Sequence, residues 1–257
     1  MEHIDARDAR DLPGLRLAVT KNIPNPFCEA AKSLFHVKGI AFTPVAQHAA
    51  QPNEDLKAWS GHRNAPVAVW NDEPARAGWA EILMLAERLK PEPPLLPADR
   101  AQRAQVFGIC HEICGEGGYA WNSRFMMFPQ EAANDTSAEK GAWDEILHKQ
   151  YGASRAQVEQ APERAATVLR FLAAQLHRQR EEGSDYFVGD SLTAADIFWA
   201  CMSIGVSQLP TEWSATPGFL RKVWGQMGER LQADLDPILI EHRDRIYRTY
   251  LKLPLEF

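Results

Sequence analysis

Residues 90–97 read KPEPPLLP, four prolines in eight positions. Proline fixes its own φ and has no N–H to give, so neither a helix nor a central strand runs through such a stretch. It reads as a stiff linker and a domain boundary, and the chain must be built differently on its two sides.

On the N-terminal side, helix and strand patterns alternate. After a polar lead, LRLAVT (15–20) reads as a strand. In the loop KNIPNP that follows, Asn25 suits a helix N-cap and Pro26 a first helical position. Phe27, Ala31 and Leu34 then recur at helical spacing, with Lys32 and Lys38 toward solvent. Gly39 stops that helix and IAFTPV (40–45) reads as a second strand. Strand, helix and strand with a crossover of this length predict a parallel βαβ unit. NEDLKAWS (53–60) reads as a short helix capped by Asn53, and APVAVWN (65–71) as a third strand opening at Pro66. A fourth strand is faintly marked, as the AVWNDE end turning back. GWAEILMLAERL (78–89) is a helix with Ile82, Leu85, Ala86 and Leu89 on one face.

Beyond the linker every pattern is helical. ADRAQRAQVFGICHEIC starts one helix at 98 and SAEKGAWDEILHKQYG another at 137. APERAATVLRFLAAQLHRQREEG (161–183) sets Ala165, Val168, Leu169, Leu172, Ala173 and Leu176 on one stripe and ends at Gly183. FLRKVWGQMGERLQADL and DPILIEHRDRIYRTYL follow, the basic run HRDRIYR (242–248) reading as a solvated face. The expected organisation is a lead (1–14), an α/β domain (15–89), the linker (90–97) and an all-helical domain (98–257).

Composition narrows the partners. The net charge of -6 gives no long-range attraction to phosphate backbones, so nucleic acid is not expected. No apolar run of 18 residues is present to span a membrane, and MEHIDARDAR lacks the apolar core of a secretion signal. Four cysteines in 257 residues do not make a disulfide scaffold, which points to a reducing cytoplasm.

The segment YFVGDSLTAADIFWACMSI (186–204) carries a composite helix start. Thr193 is the N-cap, Asp196 reaches back to the Thr193 amide, and Leu192 and Ile197 form a hydrophobic staple. GDSLTAADI is similar to the buried-helix capping motif of the glutathione transferase family. APV at 65–67 resembles that family's strand opening with a cis-proline, and WAEILMLAERL the helix after its binding strand. The resemblance runs over nearly the whole chain. It implies a thioredoxin-like N-terminal domain, an all-helical C-terminal domain and a homodimer.

Candidate site residues follow from both readings. NPFC (25–28) looks like a C-P-F-C redox motif with its first cysteine exchanged. Asn25 has no thiol, but its amide can cap the helix or steady a guest thiolate. Cys28 is either a reactive thiol at a helix start or inert packing. Thr20 and Asn22 are rival donors. The resemblance gives the backbone at Ala65 and Pro66 to the cysteine part of glutathione. It gives the start of the 78–89 helix to the γ-glutamyl carboxylate, an anion at a helix N-terminus. The family's Glu or Gln followed by Ser is replaced there by Gly78 and Trp79, leaving backbone amides and Arg76 to hold the anion. Trp79 could instead pack against the other domain. His111 and Glu112 are proton-transfer candidates, and Tyr119 and Trp121 could floor an apolar pocket or be core. Cys110 and Cys114 share a helical face, with no second pair to complete a metal site. The expected function is activation of a glutathione thiol for attack on a small, largely apolar electrophile. The alternative is a non-catalytic relative acting as a ligand-binding or interaction protein. A thiol-disulfide reductase acting through Cys28 ranks last.

Overall fold

The computed structural model describes residues 1–127 and 152–257. Three strands, β1 (Leu15–Thr20), β2 (Thr43–Gln47) and β3 (Val67–Trp70), form a sheet in the order β2-β1-β3. β1 runs parallel to β2 and antiparallel to β3. The parallel pair is joined through α2 (Pro26–Val37), so the expected βαβ unit is present. The hint of a fourth strand resolves into a single bridge, with Ala68 and Arg76 exchanging backbone hydrogen bonds at 2.8 and 2.9 Å.

Alternation along β1 decides what each face of the sheet buries. Leu15, Leu17 and Val19 join the main core under α2 and α4 (Trp79–Leu89). Ala18 lies on the other face with Val45, Val67 and Val69, covered by α1 (Ala6–Ala9) and Leu56 of α3 (Glu54–Ser60). The expected lead is thus part of the fold: beyond α1, Ile4 bridges to Val45 on the outer edge of β2. β2 sits a few residues later than IAFTPV suggests. Gly39 and Ile40 are still occupied closing α2, through bonds to His36 and Phe35. Asn53 precedes α3, but its side chain binds His48 and Gln51 across the loop instead of capping.

The helical part comprises α5 (Arg100–Cys114), α6 (Tyr119–Met126), α7 (Arg155–Glu181), α8 (Ala194–Met202), α9 (Gly218–Leu231) and α10 (Pro237–Tyr250). The helix expected from Ser137 lies outside the described residues. α7 starts six residues before Ala161 because Ser154 and Gln157 cap each other, and it runs through Pro162. Its predicted stripe is buried throughout. α8 is buried at every residue, and its Trp199 donates to the Leu239 carbonyl at 3.0 Å. One continuous core joins α2 and α4 to these helices.

The proline stretch is a strap fastened on both sides. Lys38 Nζ donates to the Pro91 carbonyl at 3.0 Å and pairs with Glu87, which also accepts the Leu95 N–H at 3.0 Å. The Leu95 carbonyl accepts from Ala194 at the start of α8. Lys38 is therefore buried, contrary to the solvent position its spacing suggests. Lys32 is also largely covered, paired with Glu29 at 2.7 Å. His242 and Arg243 of the basic run are buried as well. Among the described residues no helix is long and apolar enough to cross a membrane.

Candidate functional site

β1 ends at Thr20 and α2 begins at Pro26, so Asn25 stands where a strand end meets a helix start. Asn25 Oδ1 accepts the Phe27 N–H at 3.0 Å, which is the N-cap bond. Asn25 Nδ2 donates to Thr20 Oγ1 at 3.1 Å, and Thr20 Oγ1 lies 3.7 Å from Cys28 Sγ. Thr20 and Cys28 are buried, while Asn25 is half-buried. An amide nitrogen carries two hydrogens. One is fixed on Thr20, which orients the group.

Two expectations change here. Burial pushes the Cys28 thiol up to about 12, and the hydrogen bonds from Thr20 offset this only in part. Burial thus favours the neutral thiol, and Cys28 packs inside beside Thr20. Thr20 sits beneath Asn25 and positions it, so it is not a rival donor on the surface. Asn22 is exposed on the loop with φ +62°. Since all four cysteines are buried, Ellman's reagent is expected to titrate them fully only in denaturant. Rapid labelling of a thiol in the native protein would contradict this.

The Ala65–Pro66 peptide is cis, and β3 starts at the next residue, with Val67 beside Ala18. Because β1 and β3 are antiparallel, the end of β1 and the beginning of β3 share one edge of the sheet. The Ala68–Arg76 bridge brings the start of α4 toward the same edge. The polar groups at that start are already engaged. The Gly78 N–H donates to Glu81 Oε2 at 3.1 Å, so the chain's own carboxylate occupies the head of the helix. Arg76 Nη2 binds Glu73 Oε2 at 2.8 Å, beside Arg88 at 2.5 Å. Hydrogen bonds from Arg88 and Arg76 hold the Glu73 carboxyl below its usual range. The Trp79 ring turns toward the helical part, 5.6 Å from Phe198 and 6.3 Å from Phe107. Trp79 is therefore an inter-domain packing residue, and the charge of Arg76 serves Glu73.

In the helical part the expected residues separate. α5 stops at Cys114, where His111 folds so closely over Gly115 that a Cβ there would lie 2.2 Å from His111 Nδ1. His111 and Glu112 are exposed. Tyr119 is fully buried, its ring edge-on to Trp199 with the ring centres 5.5 Å apart, and burial raises its hydroxyl well above the usual range. It is core, not pocket floor. Trp121 is half-buried and does reach the neighbourhood of α2. The Arg124 guanidinium lies 5.9 Å from the Trp121 ring and 5.6 Å from the Phe27 ring. Cys110 and Cys114 both face the core.

Two cavities, of about 490 and 250 Å³, open near the far end of α2, where His36 lines both. The arrangement at Asn25, a helix start with an oriented donor, lies at the opposite end of that helix.

Residues 124–216 match the family model described as glutathione S-transferase, C-terminal domain. Among curated proteins none matches this chain. Among solved structures, a glutathione S-transferase from Xanthobacter autotrophicus Py2 aligns over 93% of this chain and 96% of its own, at 18% identity and a TM-score of 0.56. The β-etherase LigF from Sphingobium sp. strain SYK-6 aligns over 90% of this chain and 99% of its own, at 16% identity and a TM-score of 0.57. A Methylobacterium radiotolerans JCM 2831 glutathione S-transferase, in complex with glutathione sulfonate, covers 95% of this chain and 98% of its own, at 18% identity and a TM-score of 0.52. The chain has the glutathione S-transferase family fold.

On this glutathione transferase fold, sequence reasoning missed two residues. Glu81 stands three positions after Gly78, the spacing of a capping box, and was hidden because glycine supplies no side-chain half. Arg124 stands three positions after Trp121 and so shares its helical face. That spacing was a usable signal, but nothing in the sequence says that the face meets Phe27.

Proposed function

We propose that this chain is a glutathione transferase-like enzyme. Glutathione lies along the edge where β1 ends and β3 begins, its sulfur at Asn25 and its backbone beside Ala65 and Pro66. The second N–H of Asn25 and the positive end of α2 stabilise the thiolate, and the thiol proton leaves to water. The thiolate then attacks an electrophilic carbon. An S–C bond forms, and the leaving group departs with the electron pair of the bond it gives up. The protein itself forms no covalent bond. The observation carrying this reading is the Asn25 amide, pinned by Thr20 at the head of a helix. Relatives crystallised with glutathione or its sulfonate support the choice of thiol. The reading includes a homodimer, which sedimentation tests.

Calorimetry with glutathione, followed by conjugation of a chlorodinitrobenzene, tests the reading. Binding with turnover supports it. Binding without turnover favours a ligand-binding protein on the same scaffold. No heat at millimolar glutathione, from folded protein, ends it. Glu81→Gln is expected to tighten glutathione binding about two- to fivefold. The amide oxygen still accepts from Gly78, but the charge competing with a ligand carboxylate is gone, and such a charge at a helix start is worth about 0.3–1 kcal/mol. Unchanged or weaker affinity would show that the ligand's carboxylate settles elsewhere.

A further inference from the structure

A second place for a guest lies at the far end of α2. That helix has 12 residues, so Val37 stands about 17 Å along the axis from Pro26. There a space of about 490 Å³ opens between the end of α2, the proline strap, the loop before α8 and the end of α10. Val37, Pro93, Pro94, Leu192, Tyr186 and Tyr250 give it apolar sides. Small-molecule sites commonly hold about 300–1,000 Å³, mostly apolar, with a few placed polar groups.

The walls are set before any ligand arrives. The strap is tied to Lys38, Glu87 and Ala194 through Pro91 and Leu95. The Tyr186 N–H donates to Ser184 Oγ at 3.1 Å, and the Arg245 guanidinium lies 4.6 Å from the Tyr186 ring centre. Arg245 in turn donates to the Asp185 carbonyl. The hydroxyls of Tyr186 and Tyr250 are hydrogen-bonded to each other, with ring centres 6.5 Å apart. Fixed walls spare a ligand the entropy of ordering them. The bond to Tyr186, and then burial, push the Tyr250 hydroxyl up to about 12, so it stays a neutral phenol at neutral pH. Two phenols carry two hydrogens, and the bond between their oxygens uses one. Asp190, exposed at the rim, sets a carboxylate against anionic guests.

We propose that this cavity is a second ligand site, for a flat, uncharged aromatic molecule with an acceptor oxygen. Its rings lie against the tyrosines and prolines, and its oxygen takes the second hydrogen of the Tyr186–Tyr250 pair. The site is separate from the edge at Asn25 and does not depend on the reading of that edge.

The probe is prodan, a neutral aminonaphthalene ketone whose emission moves to the blue when it leaves water. The full chain is expected to bind it saturably, one per chain, with the same Kd in millimolar glutathione. An aminonaphthalene sulfonate is expected to bind more weakly. Thr249 lines the cavity and is exposed on α10, so Thr249→Trp fills the space without entering the core. It is expected to weaken prodan binding about tenfold or more, since it takes the room the rings need. The double variant Tyr186→Phe with Tyr250→Phe keeps both rings and loses both hydrogens. It is expected to weaken prodan about three- to tenfold, the range of one neutral hydrogen bond, and to leave the same aminonaphthalene without its ketone unaffected. Either single variant keeps one hydrogen and should lose less. Circular dichroism checks that each variant is folded. A protein that ignores glutathione yet shows this pattern supports the second site while the reading of Asn25 falls. No prodan binding by folded wild type, displacement by glutathione, tighter binding of the sulfonate, or wild-type affinity in Thr249→Trp or in the double variant overturns the proposal.

Discussion

Replacing Asp196 by alanine is expected to cost about 3–5 kcal/mol of stability, the usual loss when one partner of a buried, hydrogen-bonded charge is removed. Asp196 is 0% exposed. Its Oδ1 accepts the Phe187 N–H at 2.9 Å and faces His242 Nε2 at 3.1 Å. Its Oδ2 accepts both the N–H and the O–H of Thr193, each at 2.8 Å. Alanine would leave two backbone amides and an imidazole facing a void inside the core. A small share of the loss is the cap itself, about 1 kcal/mol. The larger share is the unmet polar groups. The effect spreads because α8 is central: it packs on α2, α5 and α10. A typical domain is stable by only about 5–15 kcal/mol, so the variant should unfold at much lower urea than wild type. Asp196→Asn keeps the shape and one acceptor, and should fall between the two. An alanine variant within about 1 kcal/mol of wild type would mean that water or a shifted carbonyl takes over these bonds.

The parts of the fold written in local pattern were readable. β1, α2, α4 and the stripe of α7 each follow a single periodicity, and each lies close to where that periodicity puts it. Failures cluster where a distant residue changes what a position means. Arg16, a charged residue inside the strand pattern of β1, is buried. Its guanidinium finds the carbonyls of Ala9, Arg10, Leu12 and Asn71, none of which sequence spacing places beside it. Lys38 is the same case, buried by a partner on α4 and a carbonyl in the linker. The start of α7 is a different case: the stripe reads from Ala161, but the cap is Ser154 and the helix runs through Pro162.

The site was legible in its anchor and not in its surroundings. Asn25 before Pro26 announces a capped helix start, and the structure adds only that Thr20 fixes the amide. What a side chain faces across the domain seam has no sequence signature. Trp79 could equally have met a ligand or Phe198, and only tertiary packing chooses. Tyr119 and Trp121, two residues apart on one helix, point about 200° apart by helical geometry, so one is core and the other reaches toward Phe27. Glu81 shows the limit most directly. It reads as a surface charge on an amphipathic helix, and its significance lies in the amide it occupies.

Replacing Asn25 by aspartate is expected to lower kcat/KM for glutathione conjugation about 30- to 100-fold near neutral pH while leaving the fold as stable as before, or slightly more so. The two outcomes come from opposite ends of one side chain. Aspartate keeps the oxygen that accepts the Phe27 N–H, is itself a favoured N-cap, and places a negative charge at the positive end of α2. It loses both N–H groups, the one given to Thr20 and the one proposed for sulfur, and sets in their place a carboxylate to which the Thr20 hydroxyl can donate. A hydrogen bond to a charged group contributes about 1.5–3 kcal/mol, or about one to two units of thiol pKa. The sign follows directly. A donor to the thiolate favours the ionised form and lowers the pKa of bound glutathione, so its removal moves the rising limb of the pH–rate profile upward. The deficit should therefore shrink as pH rises and the thiol ionises without help. Asn25→Ala separates the effects from the other side, losing the cap at about 1 kcal/mol as well as the donor. Equal activity in Asn25→Asp and wild type across pH would reduce Asn25 to a helix cap, and the sulfur would need another partner.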